Sequence, residues 1–176
     1  MDRLVFHGKV LAAVAGILVL MFLSVPGALC ETNGVGGADY HNQKGMEYFK
    51  KGFYDHTPRS QATDAERNYG LAVKEFQAAT AKDPFFTDAY RNLARLHYVK
   101  KNFDQAAKEY KRVTELAPGD LDAYVNLALS LVELGKFDEA LQALESAKHQ
   151  TSDPKALDTL DTYISKLLAH QAKEVR

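Results

Sequence analysis

Tryptophan is absent from the 176 residues, and cysteine occurs once. A single thiol excludes an internal disulfide framework, zinc ribbons, C-x-x-C redox pairs and C-x-x-C-H haem attachment. Only eight Val or Ile follow residue 30, too few β-branched residues to favour a sheet. Neither sign of charge is in excess: 22 Lys+Arg meet 23 Asp+Glu, for a net charge of −1. Such a chain has no bulk attraction to nucleic acid or to an anionic membrane surface. Catalytic signatures are missing as well. The six histidines are scattered, none pairs at i,i+4, and none adjoins the cysteine. There is no H-E-x-x-H, G-x-S-x-G or Gly-rich phosphate loop. The expectation is therefore a non-enzyme without cofactor or metal. His97 lies on an apolar helix face and reads as a core histidine, and His56 as a solvated one.

Long apolar runs are also scarce, with one exception. Residues 10–25 (VLAAVAGILVLMFLSV) hold fourteen apolar residues and no charge, after Arg3 and Lys9 and before Pro26-Gly27. A charged start, an apolar run and a small-residue exit make a secretory signal. Stretched from Leu4 to Val25, the run is long enough for an uncleaved anchor. The basic start would keep the N-terminus cytoplasmic and send the remainder outward. Three readings of residues 1–30 stand: a cleaved signal ending at Ala28-Leu29-Cys30, a retained anchor, or a lipoprotein acylated at Cys30. The last fits loosely, because Gly27 and Leu29 reverse the sizes a lipobox wants. Membrane contact is expected through residues 1–30 alone, if they are retained. Residues 31–37 (ETNGVGG) read as a flexible tether.

The remainder repeats. Asp88, Ala89, Tyr90, Asn92, Leu93 and Ala94 recur 34 places later as Asp122, Ala123, Tyr124, Asn126, Leu127 and Ala128. Phe103, Asp104 and Ala106 recur likewise as Phe137, Asp138 and Ala140. The repeated segments carry helical periodicity, with Tyr90, Leu93, Ala94 and His97 on one stripe. Ala94 and Ala128 are small where a partner helix crosses closely, and Ala106 and Ala140 face them. Tyr110 and Leu144 are expected to fill the gap to the next repeat. Pro84 and Pro118 end helices, and Asp104 and Asp138 suit the positive ends of the helices they start.

This spacing resembles the tetratricopeptide repeat family. Residues 87–120 supply Tyr90, Leu93, Ala94, Ala106, Tyr110, Val113 and Pro118. They depart from the pattern at His97, where an aromatic is usual, and at Lys101, where glycine is usual. Residues 121–153 supply Tyr124, Leu127, Ala128, Gly135, Ala140, Leu144 and Ala147. An earlier repeat spans 38–86, with Gly45, Tyr48, Gly52, Ala72, Phe76, Ala79 and Pro84. It exceeds one period by fifteen residues, which places an insertion at about 53–69, broken at Thr57-Pro58. Thr63 or Asp64 is the expected cap of its second helix, and Lys44 at a leucine place predicts a fraying first helix. Residues 154–176 read as an amphipathic capping helix with Asp153 as N-cap and Pro154 in the first position. The resemblance implies an all-α fold: a right-handed α-α superhelix of three helix pairs plus a C-terminal capping helix.

It also implies a protein-interaction module, with a protein or peptide partner held in the concave groove of the first helices. From the first repeat the groove residues are Asn42, Gln43, Met46 and Phe49. From the second they are Asp88, Arg91, Asn92, Arg95 and Tyr98. From the third they are Asp122, Val125, Asn126, Leu129 and Glu133. Arg91 and Arg95 share a helix face and are expected to anchor an acidic group of the partner. The family's clamp for a chaperone C-terminus is not expected. Asn42, Met46, Asp122 and Asn126 replace four of its five residues, and only Asn92 matches. The alternative is a membrane-tethered assembly or scaffold factor of an envelope complex, acting through 53–69 or the convex face.

Overall fold

The computed structural model describes residues 36–54 and 61–174. The apolar segment, Cys30, residues 31–35 and His56 lie outside the described residues. The described chain forms seven α-helices and no strand. They are α1 Ala38–Tyr54, α2 Gln61–Lys82, α3 Thr87–Val99, α4 Phe103–Leu116, α5 Leu121–Glu133, α6 Phe137–Lys148 and α7 Pro154–Glu174. Each packs on its successor, α1 also reaches α3, and α7 lies on α6 and touches α5. The result is an α-α solenoid of three helix pairs closed by a single helix.

The small residues fall where helices meet. Ala94, Ala106, Ala128 and Ala140 are all buried, as close interaxial packing demands. Buried apolar side chains form two clusters. Ala72 and Phe76 of α2 join Leu93 and Leu96 of α3 in the first, bordered by Met46, Phe49 and Tyr69. The second runs from Ala94 through Tyr110, Leu131 and Leu144 to Leu160 and Leu167. Thus α3 contributes to both. Tyr110 is buried in the second cluster, and burial pushes its hydroxyl up to about 12.

Turn chemistry explains the helix ends. At the Pro84 turn, the Asp83 carboxylate accepts a bond from the Phe85 N–H at 2.9 Å. Asp120 caps α5, its carboxylate accepting from the Ala123 N–H at 3.1 Å. The turns after α3 and α5 both need the left-handed backbone region. Gly135 supplies it at φ 71°, but the equivalent residue of the preceding repeat is Lys101 at φ 59°. At the last helix, the Asp153 carboxylate accepts weakly from the Lys155 N–H at 3.3 Å.

The first pair departs from expectation in three ways. The fifteen extra residues are largely helix: α1 continues to Tyr54, α2 starts at Gln61, and only 55–60 separate them. Gln, Ala, Glu and Arg around the start of α2 are good helix formers, which suits a helix that begins at Gln61. Asp64 therefore lies inside α2, where it pairs with Arg67 at 2.9 Å, and neither it nor Thr63 is the residue before the helix. Finally, α1 runs unbroken through Lys44. Lys44 Nζ lies 3.1 Å from Glu75 on α2, and His41 Nδ1 lies 2.7 Å from the same carboxylate. Burial pushes the Glu75 carboxyl up, but the bonds from His41 and Lys44 outweigh it and hold it below its ordinary value.

Candidate interaction groove

The first helices α1, α3 and α5 share one face, and the expected groove residues are distributed along it. Asn42 and Asn92 meet across α1 and α3, with Nδ2 of Asn92 donating to Oδ1 of Asn42 at 3.0 Å. These amides tie helices together, which uses part of their capacity to hold a peptide backbone. Asn126 donates to the Asp122 carbonyl of its own helix at 2.8 Å. Gln43, Asp122, Leu129 and Glu133 are exposed, and Val125 packs on the second cluster.

Arg91 is engaged within the domain. Its Nε and Nη2 donate to the Asp120 carboxylate at 3.1 and 2.8 Å, and Nη1 donates to Asp88. Burial lowers its pKa, but the bonds to Asp120 and Asp88 outweigh that and raise it. The guanidinium is thus committed to joining α3 to the cap of α5. Arg95, one turn further on, is exposed and has no ion pair among the described residues. The two arginines thus have different surroundings, one ion-paired and one open to solvent.

Arg95 instead borders a cavity of about 500 Å³. Its wall includes Met46, Phe49, Tyr98 and Asn126, so these four of the groove residues expected from the sequence meet there with Arg95. Tyr98 is held edge-on to Phe103, ring centres 5.3 Å apart. Burial and then nearby Glu133 push its hydroxyl above the ordinary value. Five further lining residues were not among the expected groove residues: Lys50, Phe53, Tyr54, Val99 and Tyr110. Met46, Phe49, Lys50 and Phe53 stand at helical spacing, a signal visible once α1 is allowed to continue past Gly52.

The opposite face carries two clefts. One, of about 470 Å³, lies between α4 and α6 beside Lys111 and Gln142. The other, of about 500 Å³, lies between α2 and α4 beside Gln77 and Glu109. Both are mixed in charge. His97 is half-buried, and its Nδ1 is buried with no hydrogen bond among the described residues. Burial, then Lys100, lowers its pKa. No group of three or more His, Cys, Asp or Glu among the described residues could hold a metal ion. No described helix is long and apolar enough to cross a membrane.

Paired helices with small residues at each crossing define a helical-repeat solenoid. Two family models, both described as tetratricopeptide repeat, match the chain over residues 60–121 and 100–161. Tetratricopeptide repeats therefore occupy residues 60–161. No curated protein matches the sequence. Among solved structures, the chain is similar to the TPR2B domain of yeast Sti1 in its pHsp70 complex. Identity is 18%, TM-score 0.58, and coverage 76% of this chain and 97% of that one. It is similar to the first TPR domain of human RPAP3, with 21% identity, TM-score 0.56 and coverage of 80% and 98%. A third is the Yersinia enterocolitica type III secretion chaperone SycD in complex with a peptide of the translocator YopD. There identity is 18%, TM-score 0.53 and coverage 74% and 94%. Identities this low establish the fold alone.

Proposed function

We propose that this protein is an interaction module that binds a segment of a partner protein along the face of its first helices. The observation that carries the reading is the half-open cavity lined by Met46, Phe49, Phe53, Tyr54, Tyr98 and Val99. Exposed apolar side chains grouped in one concavity mark a binding site more often than a tolerated surface. The peptide complex of the similarly folded SycD supports a peptide as the kind of partner, and the exposed Leu129 lies further along the same face. Photo-crosslinkers placed singly at Arg95 and at Leu129 in the full chain should each capture a partner, and capture from position 95 should be lost on Leu129→Asp. Crosslinks formed from Lys111 and Gln142, with none from the groove, would point to the opposite face and to the scaffold alternative.

We infer further, from residues 1–30 alone, that the domain works on the outer side of a cytoplasmic membrane. The mass of the N-terminus and protease accessibility in intact cells test this. An intact Met1 in a soluble cytoplasmic fraction would overturn it.

A further inference from the structure

Phe53 and Tyr54 belong to the stretch by which α1 outruns an ordinary repeat, and they are 44% and 74% exposed. Such side chains would be a liability on a mobile arm, but this arm is braced. Lys100, just after α3, pairs with Glu66 of α2. The Tyr69 ring lies so close to Gly52 that a Cβ there would stand 2.6 Å from it. Rings then run in series: Phe49 to Tyr69 at 6.0 Å, Phe49 to Phe53 at 6.1 Å, and Phe53 to Tyr54 edge-on at 5.1 Å. The insertion and the groove are consequently one feature, since the helical extension is the aromatic wall of the cavity.

The rim of that cavity is cationic. Lys50 and Arg95 line it, no Asp or Glu among the described residues does, and neither cation has an ion pair among them. Glu133 faces Tyr98 from the third repeat, so the positive charge is confined to the end of the groove built by α1 and α3. We propose that this end takes a partner segment presenting a large apolar side chain next to a carboxylate. The apolar group enters between Phe53 and Tyr98, and the carboxylate lies on Lys50 and Arg95. The assignment rests on the groove reading above and names the chemistry of its occupant. An apolar anchor gains by leaving water, while the rim charges select among anchors by the sign beside them.

Three labelled peptides test it against the full chain by fluorescence polarisation: Gly-Ser-Asp-Phe-Glu-Ser-Gly, the same with lysine for both acids, and the same with alanine for phenylalanine. The acidic phenylalanine peptide should bind roughly three- to tenfold tighter than the lysine peptide at low salt, the sum of two exposed charge contacts. The ratio should shrink as salt rises. Lys50→Ser with Arg95→Ser should bring the ratio close to one. Phe53→Ser with Tyr54→Ser should reduce the phenylalanine peptide to the level of the alanine peptide. Because Phe53 packs on Phe49 and Tyr54, helical circular dichroism and the melting temperature of each variant verify that the fold is kept before its binding is compared. Equal binding of acidic and basic peptides, both lost in the Phe53→Ser/Tyr54→Ser protein, would overturn the charge assignment and leave the groove reading intact. Binding of all three peptides that ignores every one of these variants would overturn both.

Discussion

Two glycines inside helices should respond to alanine with opposite signs. In a helix interior, Gly→Ala gains about 1 kcal/mol from backbone entropy. At Gly70 of α2 nothing lies within 4 Å of an added Cβ, so Gly70→Ala should realise most of that gain. At Gly45 of α1 the same Cβ would stand 2.6 and 2.7 Å from two ring carbons of Phe76. Carbon atoms pack at about 3.5–4.0 Å, so the ring or the helix must move by roughly 1 Å. Phe76 is fully buried against Ala72, Leu93 and Leu96 and has nowhere to turn. Overpacking of this kind costs about 1–3 kcal/mol, and the fully buried ring puts it toward the upper end. The net effect of Gly45→Ala is a loss of about 2 kcal/mol, so the two variants should differ by about 3 kcal/mol. Urea midpoints followed by helical circular dichroism read this directly, provided the slopes match. If Gly45→Ala were as stabilising as Gly70→Ala, the close crossing of α1 and α2, and with it the placement of the first repeat, would be refuted.

Arg91→Ala should lower stability by about 1–2 kcal/mol, because it strips the half-buried Asp120 of its charge partner, whereas Arg95→Ala should stay within about 0.5 kcal/mol. Equal thermal shifts would contradict the difference in their contacts. Lys101→Gly should stabilise by about 1 kcal/mol by relieving a left-handed residue, and Gly135→Ala should lose a similar amount. A denaturation series in which Lys101→Gly is destabilising would refute the turn geometry. His97 is held below its ordinary value of 6.5, so the unfolded chain takes up the proton first. Its contribution is full above about pH 6.5 and is lost as pH falls through the lowered native value. His97→Phe should flatten the stability profile in that window and raise the melting temperature, since it removes a buried nitrogen without a partner. An unchanged pH slope would show that another group is responsible.

The sequence made some of this legible because packing imposes period. Ala94 and Ala128, or Ala106 and Ala140, recur 34 residues apart because every helix crossing asks for the same small residue. The first pair was less legible. Its leucine place is filled by Lys44, whose ion pair with Glu75 depends on a helix far along the chain. The extension hides in FYDHTPRSQATDAERNY, whose proline signals a break but not how short that break is. The engagement of Arg91 was hidden for a related reason: its partner Asp120 lies in a loop 29 residues away, beyond any helical spacing rule. Counting repeat positions also restricted the groove to the inner faces of ordinary-length helices, which left out Phe53, Tyr54 and the deeper Tyr110.

The division of α3 between two buried clusters has a dynamic consequence. Leu93 and Leu96 face the first pair, and Ala94 faces the rest of the stack. Repeat stacks unfold through interfaces between neighbours, and this interface is the natural seam. The first pair can peel away as a cooperative unit while α4 to α7 keep their own core. Amide exchange in α1 and α2 would then report a smaller opening free energy than exchange in α5 and α6. The groove cavity spans the seam, with Met46 and Phe49 on one side and Tyr98 and Asn126 on the other. Any occupant touching both sides acts as a latch across it, so binding would slow exchange in helices that the ligand barely contacts.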